Sequence, residues 1–368
     1  MTDQTNSGRP RRRSHRAARV ATVGLFVLAV FYTLFIARDL VMPVVLALML
    51  ALVLSPIIRT LGRARVPKAL AALMVVLLVC GSVGAIGYTI YTPVVGWFKG
   101  APYNFYVIES KLGVLKKSVE DVKKATAEAE RMTQVTKDET KQKVVVDDEH
   151  SWLELFLAQA RYFALQGALV LLLLFYLLAA GNLFTEKLIA ALRKPAHRKQ
   201  VLAIVDQTQR DISGYLFTVT MINIGLGTAV MVAMYLLGMP DPLLWGVVAA
   251  VLNFVPYLGP ITTLGVIMVV ALTTFPTPGQ ALVVGAAYMV LVLIESEFVK
   301  PILLGRRFTL NPVVIVLSLV FWGFLWGVPG ILLAIPILVA FKILCDNVPA
   351  LAAIGAFLDS RPEEERAA

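Results

Sequence analysis

Apolar residues run along this chain in long unbroken blocks, and the polar residues collect between them. Val20–Ala37, Leu40–Ile58, Ala69–Tyr91, Tyr162–Ala180, Tyr215–Leu237 and Ala281–Leu304 each read as a helix long enough to cross a bilayer. Two further blocks behave differently. Leu243–Thr274 is uncharged over 32 residues but carries Asn253, Pro256, Gly259 and Pro260 near its middle, and Val313–Leu344 carries Trp326, Gly327, Pro329 and Gly330 at the corresponding depth. Each follows an Asx-Pro step, Asp241-Pro242 or Asn311-Pro312, and each is interrupted again 18 residues on, at Pro260 or Gly330, with a constant offset of 70 residues. An unbroken helix of that size would be about 48 Å long against a hydrocarbon core of about 30 Å, so neither block is an ordinary span. Broken helices at membrane depth survive only when buried in protein or lining a wet cavity.

The basic residues set an expected topology. The tail before the first block has six, the Arg59–Lys68 loop four and the Lys187–Arg210 segment six, whereas Arg38-Asp39 has one, and 238–242 and 276–280 have none. Alternate loops therefore obey the positive-inside rule, with both termini inside. Tyr215–Leu237 then runs outward and the block ending at Arg306-Arg307 runs inward. Leu243–Thr274 must begin and end on the outer face as a re-entrant hairpin with Pro256–Pro260 near its tip. Val313–Leu344 becomes an inner-face hairpin with its tip at Gly327–Gly330, and the two span-plus-hairpin units form an inverted repeat. The alternative is eight spans, two of them kinked, which would put Arg306-Arg307 outside.

The expected organisation is a basic cytoplasmic tail (1–19), three N-terminal transmembrane helices (20–91) and an extracytoplasmic charged helical region (92–150). A transmembrane helix with a basic cytoplasmic loop (151–213), a transport core (214–345) and a cytoplasmic tail (346–368) follow. Thr92–His150 has ten basic and ten acidic residues. Ile108, Leu112, Leu115, Val119 and Val122 alternate steps of four and three, a narrow stripe suited to a coiled-coil-like partner or to lying on a membrane. Asp346–Leu358 reads as a short interfacial helix.

Composition agrees with the blocks. The chain is 58% apolar and 16% charged, with a mean hydropathy of +0.77. Its net charge of +10 resides in loops beside apolar blocks and serves topology, so no nucleic-acid partner is expected. Cys80 and Cys345 give no disulfide framework, and His15, His150 and His197 lack partners at metal-ligand spacing. No phosphate-cradling glycine loop and no nucleophile signature are present, so neither a cofactor nor an enzymatic activity is expected.

Polar groups in costly places are the candidates for function. Glu295, Glu297 and Lys300 lie toward the inner half of an apolar block, ahead of Pro301, and an intramembrane ionisable residue is a functional candidate by default. On an α-helix Glu297 and Lys300 are three apart and close enough to pair, while Glu295 points elsewhere. Asn223, Asn253, Thr262, Thr263 and Ser318 could contact a polar solute or join helices. Carbonyls freed at the Pro256 and Pro329 breaks, beside Tyr257, Gly259, Pro260, Gly327 and Gly330, could do either or hold a cation.

At these residues a resemblance emerges. Asn253-Phe254-Val255-Pro256-Tyr257-Leu258-Gly259-Pro260, the run from Glu295 through Pro301 to Gly305, and Leu310-Asn311-Pro312 followed by Phe321 to Pro336 resemble motifs of the AI-2E (autoinducer-2 exporter) family. The similarity extends from about Phe31 to Leu358 and is most specific in the last 120 residues. It implies a bacterial inner-membrane secondary transporter assembled as a homo-oligomer, a pentamer being the expected number. Export of autoinducer-2 or exchange of sodium or lithium for protons is the implied activity, with H+ or Na+ as candidate coupling ion. Glu297 stands where asparagine is frequent in that family, which favours ion or proton coupling. The expectation is an all-α polytopic membrane protein of about six spanning helices and two re-entrant hairpins. It exports a small polar metabolite by alternating access, with the hairpin tips meeting near midplane and Glu295 or Glu297 as the coupling residue. Cation/proton antiport is the second reading. A membrane assembly factor binding partners through the Lys111–Met132 stripe is the third.

Overall fold

The structure, a computed structural model, describes residues 11–93, 95–96, 149–181, 187, 195–305 and 310–359. The stripe of residues 108–122 and Arg306-Arg307 lie outside them. The helices are α1 (Arg11–Ile36), α2 (Arg38–Arg63), α3 (Lys68–Pro93), α4 (Glu149–Ala180), α5 (Pro195–Leu236), α6 (Pro242–Leu252), α7 (Leu258–Thr274) and α8 (Pro278–Ile294). A π-helical turn (Glu295–Val299) links α8 to α9 (Lys300–Leu304). The long α10 (Pro312–Asn347), a 3-10 turn (Pro349–Leu351) and α11 (Ala352–Leu358) follow. No strand occurs among the described residues. Among the described residues, five helical runs are long and apolar enough to cross a membrane: α2, α3, most of α5, Pro278–Leu304 and α10; the blocks expected at Val20–Ala37 and Tyr162–Ala180 contribute only the shorter apolar stretches Thr22–Ile36 and Ala164–Ala180. The chain is an all-α polytopic membrane protein.

The apolar blocks read from the sequence are helical over nearly all their length, and α1, α4, α5 and α10 extend beyond theirs. α5 begins at Pro195, within the basic segment expected to be a loop, and its 42 residues extend about 63 Å, well beyond a bilayer core. α10 continues past its apolar block to Asn347, so the terminal interfacial helix is shortened to Ala352–Leu358.

Small residues bring α5 and α6 into backbone contact. A Cβ on Gly227 would come 2.5 Å from the Gly246 carbonyl oxygen, and one on Gly246 would come 2.6 Å from that of Gly227. Without a hydrophobic drive between helices in lipid, this close approach is what holds such pairs together. Leu226, Val230 and Met234 of α5 form one buried cluster with Trp245 of α6, Ile267 and Val270 of α7, and Val284 and Tyr288 of α8.

Both broken blocks fold back on themselves. α6 runs antiparallel to α5, since Gly246 meets Gly227 while Asn253 reaches Asn223. α7 returns antiparallel to α8, with Gly285 against Met268. Because Glu295, just past the end of α8, meets Asn253 at the end of α6, α6 and α7 must go down and back up as a hairpin. In α10 the sign is more direct: Ser318 Oγ donates to the Ala334 carbonyl at 3.1 Å. In a straight helix those residues would be about 24 Å apart. The reversal sits at Gly327, whose φ of 65° and ψ of −142° suit glycine and few other residues.

The two hairpins close by the same device. A Cβ on Gly259 would collide with the Leu252 carbonyl, and one on Gly330 with the Trp322 carbonyl, so a glycine on each outgoing arm lets it touch the backbone of the incoming arm. The Asx-Pro starts are less alike. Asn311 Oδ1 accepts from the Val313 N–H at 2.9 Å as an N-cap, whereas Asp241 adopts φ 51° and makes no side-chain cap. Pro242 and Pro312 both occupy the first turn, where a missing N–H costs nothing.

The hairpins do not meet tip to tip. Val255, in the turn of the first, is buried in a cluster with Leu319, Ala334, Ile335, Val339 and Ile343 from the arms of the second. Leu325 and Trp326, at the turn of the second, are buried against α1 and α2. There Trp326 Nε1 approaches the Leu34 carbonyl at 3.5 Å and Phe324 stacks on Phe35. The expected meeting of the tips fails because each turn buries its apolar residues elsewhere: Val255 between the arms of the second hairpin, and Leu325 and Trp326 against α1 and α2.

A buried cation fastens the C-terminal segment. Lys342 is only 2% exposed, and its Nζ lies 2.6 Å from Asp346 Oδ2 and 3.5 Å from Asp359 Oδ2. The Leu358 carbonyl also accepts from the Asn311 N–H at 3.0 Å. Replacing Lys342 by Met removes the cation from buried Asp359. It is expected to cost about 3–5 kcal/mol, read as a lower unfolding midpoint with early proteolysis after Asn347.

Candidate functional site

Four of the residues singled out by sequence converge where α5, the first hairpin and α8 meet. Asn253 Nδ2 donates to Asn223 Oδ1 at 2.9 Å and to Glu295 Oε1 at 3.1 Å, and Lys300 Nζ lies 3.0 Å from the same Glu295 oxygen. Asn223 is 1%, Glu295 4% and Asn253 7% exposed. Asn253 reaches this point because α6 ends there: its backbone N–H still bonds to Ala249, but the chain turns at once toward Pro256.

Lys300 pairs with Glu295, not with Glu297. Five residues of α-helix would put positions 295 and 300 about 140° apart. The π turn changes this, because the Lys300 N–H donates to the Glu295 carbonyl and the wider ring returns Lys300 to the face of Glu295. Pro301 accounts for the turn, since it offers the Glu297 carbonyl no N–H and its ring crowds that carbonyl. Glu297 is left exposed, without an ion pair among the described residues.

Two polar atoms in the cluster are buried without a hydrogen-bond partner among the described residues, Asn223 Nδ2 and Glu295 Oε2. One is a donor and the other an acceptor, and a buried group left this way costs about 1–3 kcal/mol. Glu295 also lines a groove of about 480 Å3 between α5 and the α8–α9 run, whose other walls, such as Phe217, Met221, Leu291 and Leu303, are apolar.

The remaining candidates divide between turn and framework. Tyr257 has φ 63° and ψ −56°, and the Leu258 N–H donates to the Pro256 carbonyl at 2.7 Å, which makes a γ-turn of the strained hand on a non-glycine residue. Its side chain is exposed, as is Thr262, while Pro256 and Pro260 are half-buried. Thr263 is buried, donates to the Gly259 carbonyl at 2.9 Å and faces Tyr288. Ser318 uses its hydroxyl to close the second hairpin. Gly327, Pro329 and Gly330 belong to the turn packed on α1 and α2 and are not joined to the Asn253 cluster.

Sequence reasoning missed Tyr288 and Lys342. Tyr288 is 1% exposed and lies seven residues before Glu295, two turns up the same face, a spacing that could have drawn attention to it. Lys342 is the sole charge in its 32-residue block.

Residues 24–350, which include every element of this cluster, match the profile of AI-2E family transporters. The chain belongs to the AI-2E transporter family. It is 24% identical to the AI-2 transport protein TqsA of Escherichia coli K12 over 329 residues, covering 89% of this chain and 92% of that protein. A provisionally named transport protein of Borreliella burgdorferi is 31% identical over 190 residues, covering 51% of this chain and 52% of the relative. Bacillus subtilis YueF, also provisionally named as a transport protein, is 27% identical over 179 residues, with coverages of 49% and 48%. The chain thus spans about half the length of the latter two relatives. AI-2E membership supports a role in membrane transport.

Proposed function

We propose that this chain is a secondary transporter of the bacterial inner membrane that exports a small, neutral, polar metabolite of the autoinducer-2 kind by alternating access. The observation that carries the reading is the unpartnered pair, Asn223 Nδ2 and Glu295 Oε2, buried beside a groove at membrane depth. A solute hydroxyl can accept from the first and donate to the second, so binding it supplies both missing hydrogen bonds. Lys300 offsets the charge of Glu295 and leaves the cluster without net charge, which suits a neutral solute better than an ion. Broken helices supply such sites in transporters because their ends free polar groups from the helix ladder.

In this reading the first hairpin moves the solute site. Asn253 sits on its turn, beside the strained Tyr257, while Asn223 and Glu295 sit on continuous helices, so displacement of the turn breaks two hydrogen bonds and opens the cluster. Both termini are cytoplasmic, and the chain works as a homo-oligomer. Cation/proton antiport is the second reading, favoured by the free Glu295 oxygen, which could take a proton in exchange for a cation.

Flux into proteoliposomes of purified protein separates the readings. Saturable movement of a neutral hydroxy-carbonyl solute without cation dependence is expected; collapse of an imposed proton gradient by Na+ or Li+ instead would replace the first reading with the second. Topology has its own test. Cysteines placed singly at Gln280 and Asn347 in a background lacking Cys80 and Cys345 should react with a membrane-impermeant thiol reagent from outside and inside, respectively. Labelling of both from one side would refute the hairpin topology.

A further inference from the structure

A second cavity, of about 400 Å3, lies away from the solute cluster, where the Arg59–Lys68 ends of α2 and α3 meet α4 and α5. Three cations surround its mouth: Arg59, Lys68 and Arg210. None of them makes an ion pair among the described residues, and the one carboxylate in the lining, Asp206, makes none either. With three cations and one carboxylate, the lining therefore carries a net positive charge. Arg59 is held in place by neutral groups, with Nη2 at 2.9 Å from Ser55 Oγ and 3.4 Å from Ser213 Oγ, while Ser213 is anchored to the Leu52 carbonyl at 2.6 Å. Lys68 lies along Gly181, where φ is +54° and a Cβ would stand 3.4 Å from Nζ.

Beneath this mouth the cavity changes character. Its wall on α2 continues through Ile58, Leu52, Ala51 and Leu48, and on α4 through Leu178 and Leu177. From Gly62 to Leu48 the lining follows one face of α2 for about 21 Å, the rise of 14 residues. A cationic mouth over a long apolar groove is complementary to a molecule with an anionic head and a hydrocarbon tail. A free phosphate would use the mouth and leave the groove empty; a zwitterionic lipid would fill the groove without matching the charge.

We propose that this cavity binds one anionic phospholipid, its phosphate between Arg59, Lys68 and Arg210 and one acyl chain along Leu48, Ala51 and Leu52. The bound lipid joins α2, α3, α4 and α5 at the basic face of the membrane. This site is independent of the solute cluster.

Thermal unfolding of the full chain in detergent, titrated with phosphatidylglycerol, tests it. The midpoint is expected to rise saturably, whereas phosphatidylcholine with the same chains, glycerol 1-phosphate and inorganic phosphate leave it unchanged. Removing each cation should weaken phosphatidylglycerol about fivefold, so R59Q, K68Q and R210Q singly show that loss and the triple variant shows on the order of a hundredfold. Ala51→Phe, which fills the groove under an intact mouth, should also weaken the lipid. An equal response to phosphatidylcholine, an equal response to free phosphate, or undiminished affinity in the three single variants would each overturn the proposal.

Discussion

Glu295→Gln is expected to lower solute flux in proteoliposomes about 10- to 100-fold while the protein still purifies folded. The amide keeps the shape and can still accept from Asn253, but it loses the charge that holds Lys300 at 3.0 Å and weakens the acceptor opposite Asn223. A hydrogen bond to a charged group contributes about 1.5–3 kcal/mol, which sets the size of the loss. Glu295→Ala should do more, because it leaves Lys300 and Asn253 beside an empty space. Lys300 is 36% exposed, so solvent keeps the cost below the roughly 3–5 kcal/mol of a fully buried broken pair, but that variant should still unfold earlier as well as fail to transport. Glu297→Gln is the contrasting substitution: its side chain is exposed, and flux should be unchanged. Wild-type flux from Glu295→Gln would remove the cluster from the transport path, and loss of flux from Glu297→Gln would restore the pairing read from sequence.

Gly259→Val and Gly330→Val are each expected to prevent the corresponding hairpin from closing. The added side chain meets a carbonyl of the opposite arm, Leu252 or Trp322, and backbone cannot rotate aside as a side-chain end can. Overpacking in a well-packed core costs about 1–3 kcal/mol where side chains can adjust, and here the arms themselves would have to separate. Little monodisperse protein should be recovered from either variant. Gly265 gives the control: it lies within α7 with nothing within 4 Å of a built Cβ, so Gly265→Ala should be neutral or add about 0.5–1 kcal/mol through helix propensity. Normal folding of both valine variants would mean that the arms do not touch.

Length and hydrophobicity placed the spans, because crossing a bilayer demands about 20 apolar residues and leaves a mark that no later packing can erase. The broken blocks were equally legible. Proline and glycine at matched depths, 70 residues apart, fall at the turns of two helical hairpins closed by glycine. Asn223, Asn253 and Glu295 could be named one by one, since polar side chains in lipid are costly enough to be conspicuous. Their convergence could not be read, because it depends on how α6 and α8 lie against α5.

The pairing of the charges shows where sequence reasoning stops. Counting at 100° per residue joins Lys300 to Glu297, and the count fails because Pro301 forces one π-helical turn that rotates Lys300 onto Glu295. The hairpin tips are a second case: each was placed correctly along the chain, but Trp326 found its partners on α1 and α2, nearly three hundred residues away. The sequence by itself determined an all-α membrane protein, its apolar spans and the depth of its breaks, since each follows from local hydrophobicity and backbone chemistry. Only the tertiary structure decided which polar atoms meet and which are left unpaired, because that depends on distances between helices that no local pattern encodes.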